Sequence, residues 1–298
     1  MGRRMGWQQG MAEFGLWREQ EAISGHVTLG AGGRARWFFR PHSQESLVAA
    51  MQYLPASVVV MPLGRGSNLL VTDGGFDGLM IDMGSLDEMS ADGDLLRCGA
   101  GVRMSAVAAR CAELGLSGLE FMATVPGSVG GAVAMNAGAF GQQVSDSLVM
   151  VELLLRDGSL RSVAADELSL GYRCSDLPAG ALMLSAQLHL QRAEGEAVRR
   201  RMREMRSRRA GSQPLSQPNC GSVFKNPPGE HAARLIEAAG LKGRRIGGAE
   251  ISAQHANFIV NLGGASASDV LELIALVRSE VNRSFAIDLQ PELRVVGR

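Results

Sequence analysis

The chain has 298 residues, more than one hydrophobic core usually serves, so two or three domains are expected, and its 46% hydrophobic content is enough to fill them. Lys+Arg and Asp+Glu both number 30, which excludes a global field drawing the chain to nucleic acid or to an anionic membrane; neither is expected as a partner. No apolar run reaches the roughly 18 residues of a membrane span, and the opening "MGRRMGWQQGMAEFGLWREQ" lacks the continuous apolar segment of a signal peptide, so a cytoplasmic chain is expected, starting at Met1, Met5 or Met11.

In chain order, "RARWFFRP" (34–41) reads as a strand, "SQESLVAAMQYL" (43–54) as a helix and "SVVVMPLG" (57–64) as a buried strand. After a glycine-rich stretch come the strand-like "DGLMIDM" (77–83) and "DLLRCGAG" (94–101), then an amphipathic helix, "RMSAVAARCAELGL" (103–116). "LVMVELLLRDGSLRSV" (148–163) is two apolar runs around Asp157-Gly158, a hairpin signal, and "ALMLSAQLHLQ" (181–191) is a further strand. From Glu194 to Arg209 a charged helix follows, whose arginines read as a solvated face for want of interleaved aromatics; "AGSQPLSQPN" then breaks it. The remainder reads helix (230–240), strand (255–262), long helix (266–284) and final strand (289–296). These patterns divide the chain into residues 1–78, 79–193 and 194–298 and make the class α+β.

Cys98, Cys111, Cys174 and Cys220 have no Cys-x-x-Cys spacing and read as reduced thiols, and the five histidines include no i, i+4 pair, so no metal site is expected. Gly30-Ala31-Gly32-Gly33-Arg34-Ala35 fits the letters of a dinucleotide fingerprint, but an aromatic strand follows it where that fingerprint requires a helix. More telling are "PLGRGSNLLV" (62–71) and "VPGSVGGAVAMNAGAFG" (125–141), whose glycines allow close backbone approach and positive φ. The second has almost no charge, which suits the ring system of a flavin better than a bare phosphate. In "NCGSVFKNP" (219–227), Ser222 is not set in a nucleophile elbow, and no histidine is placed in sequence to activate it.

"GRGSNLLV", "VPGSVGGAVAMNAGAFG", "GYRCS" (171–175), "NCGSVFKNP" and "QPELRVVG" (290–297) together resemble, in order and spacing, the UDP-N-acetylenolpyruvoylglucosamine reductase family, from about Thr28 onward. Val27 stands where that family usually has Asn before the Thr, and only seven residues separate Arg173 from Ala181, which resembles the short form lacking a tyrosine-bearing loop. The resemblance implies a vanillyl-alcohol-oxidase (PCMH-type) fold of two FAD-binding subdomains, 1–78 and 79–193, and a substrate-binding domain, 194–298. It implies non-covalent FAD, NADPH as co-substrate, and reduction of the enolpyruvyl ether of a UDP-sugar in peptidoglycan precursor synthesis.

Under that resemblance Gly64, Arg65, Gly66, Ser67, Asn68 and Leu69 of the first stretch would contact FAD. So would Pro126, Gly127, Ser128, Gly130, Gly131, Ala132, Asn136, Ala137 and Gly138 of the second, while Tyr172, Lys225 and Asn226 would contact the sugar nucleotide. Hydride addition to the vinyl methylene carbon leaves negative charge on the adjacent carbon and its carboxylate, so donor groups and a proton are required. The motifs assign Arg173 and Glu292 to the carboxylate and Ser222 to the proton. Another FAD-dependent oxidase or dehydrogenase of the same fold, and a non-catalytic nucleotide-sugar module, remain as alternatives; the latter predicts colourless protein.

Overall fold

The structure, a computed structural model, describes residues 6–298; Met1 and Met5 lie outside the described residues. It divides into two compact units, each assembled from separate pieces of chain. The first comprises the residues up to Glu19, Trp37–Arg65 and Gly78–Ser207; the second comprises Gln20–Arg36, Gly66–Asp77 and Arg208–Arg298. Helices and strands mix throughout both, so the class is α+β.

In the first unit the longest ladder is a five-stranded sheet in the order Leu160–Ala164, Leu148–Leu154, Leu182–His189, Leu95–Gly99, Met89–Asp92, antiparallel throughout. The Asp157-Gly158 signal is a hairpin: Leu155 N–H donates to Ser159 O at 2.9 Å, Gly158 N–H donates to Leu155 O at 3.0 Å, and Gly158 has φ 83°. Helix Met104–Leu114 buries Val107, Ala108, Cys111 and Ala112, and it ends where Gly115 turns left-handed at φ 67°. A four-stranded sheet takes Gly15–Ala22, Arg34–Pro41, Phe76–Asp82 and Val60–Leu63 in that order, the last two parallel. Gly15–Ala22 carries no clean apolar alternation and is not evident from sequence.

In the second unit, helix Ala267–Phe285 packs its stripe of Val270, Leu273, Ile274, Val277 and Val281 into a core with Leu70, Phe224, Leu235 and Ile259. Ser266 and Asp269 form a capping box at its start, and Asp73 accepts from Ala267 N–H and Ser268 N–H at 3.0 and 2.8 Å. A sheet in the order Asn219–Ser222, Phe258–Asn261, Ala249–Ile251, Arg245–Ile246 lies in the same unit. Two expected strands are shorter than their apolar runs. Strand 255–262 begins only at Phe258, because Ser252 Oγ accepts from Gln254 and His255 N–H and turns the chain there. Strand 289–296 is regular only over Arg294–Val296, because Gln290 O and Glu292 N–H bond instead to Lys225 and Val223. Gly30–Gly33 leads into strand Arg34–Pro41, not into a helix, so no dinucleotide fingerprint is formed.

Candidate active site

Within the second unit the structure joins three of the sequence motifs through their main chains. Glu292 N–H donates to Val223 O at 2.7 Å, Lys225 N–H donates to Gln290 O at 2.9 Å, and Phe224 bridges Pro291. Asn68 Nδ2 donates to Glu292 O at 3.0 Å, and strand Leu69–Val71 pairs in parallel with Arg294–Val296. Ser222 ends strand Asn219–Ser222 one residue before this junction, and Ser222 and Glu292 are both part-exposed. Gly221, at φ 74°, sits in the bulge between the Asn219–Val260 and Ser222–Phe258 pairs, where a Cβ would be strained. Ser222 and Glu292, 70 positions apart in the chain (292 − 222), therefore share one hydrogen-bonded frame around Val223 and Phe224.

Thr28 adds a fourth segment to this frame. Its N–H donates to Gly66 O at 3.1 Å and its hydroxyl to Asn219 O at 2.6 Å. Gly66, at φ 60°, has His26 O and Val27 Cα where a Cβ would come within 2.4 and 2.7 Å, so only glycine passes there. Val27 itself is buried at this crossing.

Arg173 lies in the first unit, at the tip of a turn closed by the Gly171–Cys174 bridge and with φ 57°, a conformation rare for a side-chain-bearing residue. Its guanidinium donates to Gly138 O at 2.7 Å and to Asn136 O at 3.5 Å, and it lies 5.1 Å from the centre of the exposed Tyr172 ring. Asn136 is 1% exposed and holds the same turn from below. Its Nδ2 donates to Gly171 O at 3.1 Å and to Gln143 Oε1 at 3.3 Å, and its Oδ1 accepts from Ser145 N–H at 3.0 Å. The uncharged glycine stretch thus supports the arginine-bearing turn.

The residues of the first unit fit a flavin on one specific count. Ser128 is buried, starts helix Val129–Ala134 without capping it, and its Oγ has no hydrogen-bond partner among the described residues. A buried hydroxyl without a partner costs about 1–3 kcal/mol, which an occupant with polar atoms would offset. Gly64 faces that hydroxyl: a Cβ there would come within 2.2 Å of Ser128 Oγ. Gly127 N-terminal to it, at φ 154°, accepts from Met104 N–H at 3.1 Å, and Gly130 N–H donates to Ala100 O at 2.9 Å. The two glycine stretches therefore meet at Gly64 and Ser128, at a point kept free of side chain.

The other expected contacts are placed as follows. Arg65, Pro126 and Gly131 are exposed; Ser67, Ala137 and Gly138 are part-buried; Leu69 and Ala132 are buried. Asn226 Oδ1 accepts from Ala232 N–H at 3.0 Å and so supports the start of helix Ala232–Ala238, while the Lys225 side chain is part-exposed. All four cysteines are free thiols; burial pushes the Cys220 thiol up to about 12, so it packs as a small apolar neighbour of Ser222. Arg199, Arg200, Arg203, Arg206 and Arg208 of the arginine helix are exposed, as expected of a solvated face, while Arg201 pairs with the buried Glu120 at 2.6 Å and Arg206 Nε donates to Ala123 O at 3.2 Å.

Residues 35–164 match the FAD binding domain, and residues 213–296 match the C-terminal domain of UDP-N-acetylenolpyruvoylglucosamine reductase. The chain is 43% identical over 281 residues to the UDP-N-acetylenolpyruvoylglucosamine reductase of Alkalilimnicola ehrlichii, covering 94% of each chain. It is 41% identical over 293 residues to that of Bacillus velezensis, covering 96% of this chain and 95% of the relative. The crystal structure of the UDP-N-acetylenolpyruvylglucosamine reductase from Thermus caldophilus superposes with a TM-score of 0.84 at 39% identity, over 95% of this chain and 100% of that one.

Proposed function

The chain belongs to the UDP-N-acetylenolpyruvoylglucosamine reductase family, and on that premise we propose that Ser222, Arg173 and Glu292 carry out its proton and carboxylate chemistry. It is an FAD-dependent oxidoreductase of peptidoglycan precursor synthesis, acting on the enolpyruvyl ether of a UDP-sugar. With NADPH as the reductant, bound FAD would supply hydride chemistry at the vinyl methylene carbon. Gly64, Arg65, Gly66, Ser67, Asn68 and Leu69 of the first stretch, and the backbone from Pro126 to Gly138, would hold it.

The residues then have separate tasks. Arg173 neutralises the enolpyruvyl carboxylate, which draws charge off the neighbouring carbon as that carbon becomes basic. Glu292, protonated or sharing a proton with the same carboxylate, keeps it from repelling the incoming charge. Ser222 Oγ–H gives its proton to the carbon next to the carboxylate, and its oxygen regains a proton from solvent. A hydroxyl suffices as acid because an enolate-like carbon is a strong base and a water-excluding site raises it further. Tyr172, Lys225 and Asn226 are proposed to contact the sugar nucleotide. The reading is supported by one observation above the others: the main-chain bonds among Asn68, Val223 and Glu292 tie a flavin-stretch residue, the serine motif and the glutamate motif into one frame.

We also propose that residues 1–78 and 79–193 act as the two flavin subdomains and 194–298 as the substrate domain. The FAD-binding match at 35–164 and the C-terminal match at 213–296 lie on either side of the boundary at 193/194 and favour that part of the division. Among the described residues no helix is long and apolar enough to cross a membrane, and a nucleotide-sugar substrate fits a cytoplasmic enzyme. The test is Ser222→Ala. Reduction of bound flavin by NADPH should survive, while its reoxidation by the enolpyruvyl UDP-sugar should slow by about 10² to 10⁴. Equal loss in both half-reactions would make Ser222 a structural residue and overturn its role.

A further inference from the structure

Strand Phe258–Asn261 pairs with Asn219–Ser222 only as far as Ser222–Phe258, after which the residues before Phe258 turn away. Val223 then lies at a bend and Phe224 in an isolated bridge, both held on one side by residues 290–292. The middle segment of such an arrangement needs a partner on its other side too, because a buried N–H or C=O left unpaired costs free energy comparable to a lost hydrogen bond. Phe224 is 2% exposed, and Pro291 opposite it has no N–H to offer.

Asn257 supplies that partner. Its main-chain O accepts from Val223 N–H at 2.9 Å, its Oδ1 accepts from Phe224 N–H at 2.9 Å, and its Nδ2 donates to Phe224 O at 2.8 Å. The side-chain amide thus stands in for a missing peptide group, giving Phe224 the donor and acceptor that a neighbouring strand would give. Asn257 is 4% exposed, so water does not substitute freely. Val223, one bond away, accepts from Glu292 N–H at 2.7 Å, and Ser222 precedes it. One buried amide therefore fixes the segment that carries both the serine and the register of the glutamate.

We infer that Asn257 is a positioning residue for the proton-delivery step, acting through the main chain of Phe224; this rests on the role proposed above for Ser222. No other common side chain supplies both bonds at this reach. Asp accepts but does not donate, and would set a carboxylate against Phe224 O; Gln is one methylene too long; Leu fills the space and leaves both groups unpaired. Displacing a reacting group by about 1 Å can cost 10²-fold in rate, so a small loss of register here would be read at the proton transfer.

The test uses the FAD-loaded full-length chain. Asn257→Asp and Asn257→Ala are compared with the parent and with Ser222→Ala in two single-turnover measurements: flavin reduction by NADPH, and reoxidation by the enolpyruvyl UDP-sugar in water and in heavy water. The expected result is reduction within about twofold of the parent and reoxidation slowed by about 10- to 100-fold. The solvent isotope effect should be enlarged, and in steady state kcat should fall with KM little changed. Reoxidation at the parental rate, or equal loss in both half-reactions, overturns the inference. If Ser222→Ala itself leaves reoxidation intact, the proposed proton donor fails; if Ser222→Ala collapses it and the Asn257 variants do not, the positioning role alone fails. Hydrogen exchange on the parent serves should neither variant fold: the Phe224 amide should be strongly protected, and exchange at the rate of an exposed loop overturns the pinning.

Discussion

An asparagine and a serine show how differently polar residues are used inside one glycine stretch, residues 125–141. Asn136 reads from sequence as a cofactor contact, yet its amide bonds to Gly171 O, Gln143 Oε1 and Ser145 N–H, all part of this chain. Asn136→Ala should therefore act first on Arg173, whose turn it supports. We expect a loss of about 1–3 kcal/mol in stability, from the partners left unpaired, and a rise in KM for the UDP-sugar larger than any loss of bound FAD, read by flavin fluorescence. Ser128 is the opposite case, since its Oγ has no partner among the described residues. Ser128→Ala should leave the flavin-free chain as stable or about 1 kcal/mol more stable, while FAD binds less tightly. Thermal unfolding with and without FAD separates the two effects, and a flavin-free chain destabilised by the change would show that the hydroxyl has a structural task. Ser222, Arg173 and Glu292 can be nominated from sequence because each sits in a short, distinctive motif, and their roles rest on the half-reaction test above. Asn257 is not: the only cue is a polar residue within the apolar run "HANFIV", which is equally the mark of a turn.

Among the elements, the charged helix Gly195–Ser212 has a largely exposed arginine face and one buried edge. It buries Val198 and Met202, and Arg201 reaches Glu120, whose side chain is 1% exposed. Burial pushes the Glu120 carboxyl up, but the Gly118 N–H, Arg201 and Ser117 outweigh it and hold the carboxyl below its usual 4.5. A carboxyl lowered in the folded state contributes stability that is fully present above about 4.5 and is lost as pH falls through the lowered value. Arg201→Ala removes part of what holds it down, so acid unfolding followed by circular dichroism should begin at higher pH than in the parent. An unchanged acid midpoint would mean that Gly118 and Ser117 suffice. The helices and the hairpin at Asp157-Gly158 are readable from period and turn chemistry, and their caps agree. Strand Gly15–Ala22 and the late start at Arg294 are not, because distant backbone partners determine them, and the late start at Phe258 is set by the Ser252 hydroxyl turn, which leaves no period in the apolar run.

Over the whole molecule the α+β class follows from the order of patterns along the chain, but the grouping into units does not. Pieces as far apart as Gln20–Arg36, Gly66–Asp77 and Arg208–Arg298 form one compact body, and no local pattern announces a discontinuous unit. What binds them is long-range: Asn68 to Glu292 spans 224 positions, Thr28 to Asn219 spans 191, and Asp73 to Ser268 spans 195. Contacts of such separation carry a large loop-closure cost before they return any stability. Refolding of the second unit should therefore be slower than that of the antiparallel sheet at Leu148–Leu154 and Leu160–Ala164, whose strands adjoin. Pulse-labelled hydrogen exchange checks this: amides of Leu69–Val71 should gain protection after those of the hairpin, and simultaneous protection would contradict it.

The parallel pairing of Leu69–Val71 with Arg294–Val296 has a consequence for the newborn chain. As the polypeptide leaves the ribosome, the first glycine stretch emerges early, but the strand beside it has no regular partner until residues some 220 positions later are synthesised, as the 224-position span from Asn68 to Glu292 indicates. The glutamate motif immediately precedes that late strand. Translation therefore withholds the finished frame until the residue proposed to steady the carboxylate is itself in place, so no shorter nascent chain presents the serine in its complete setting.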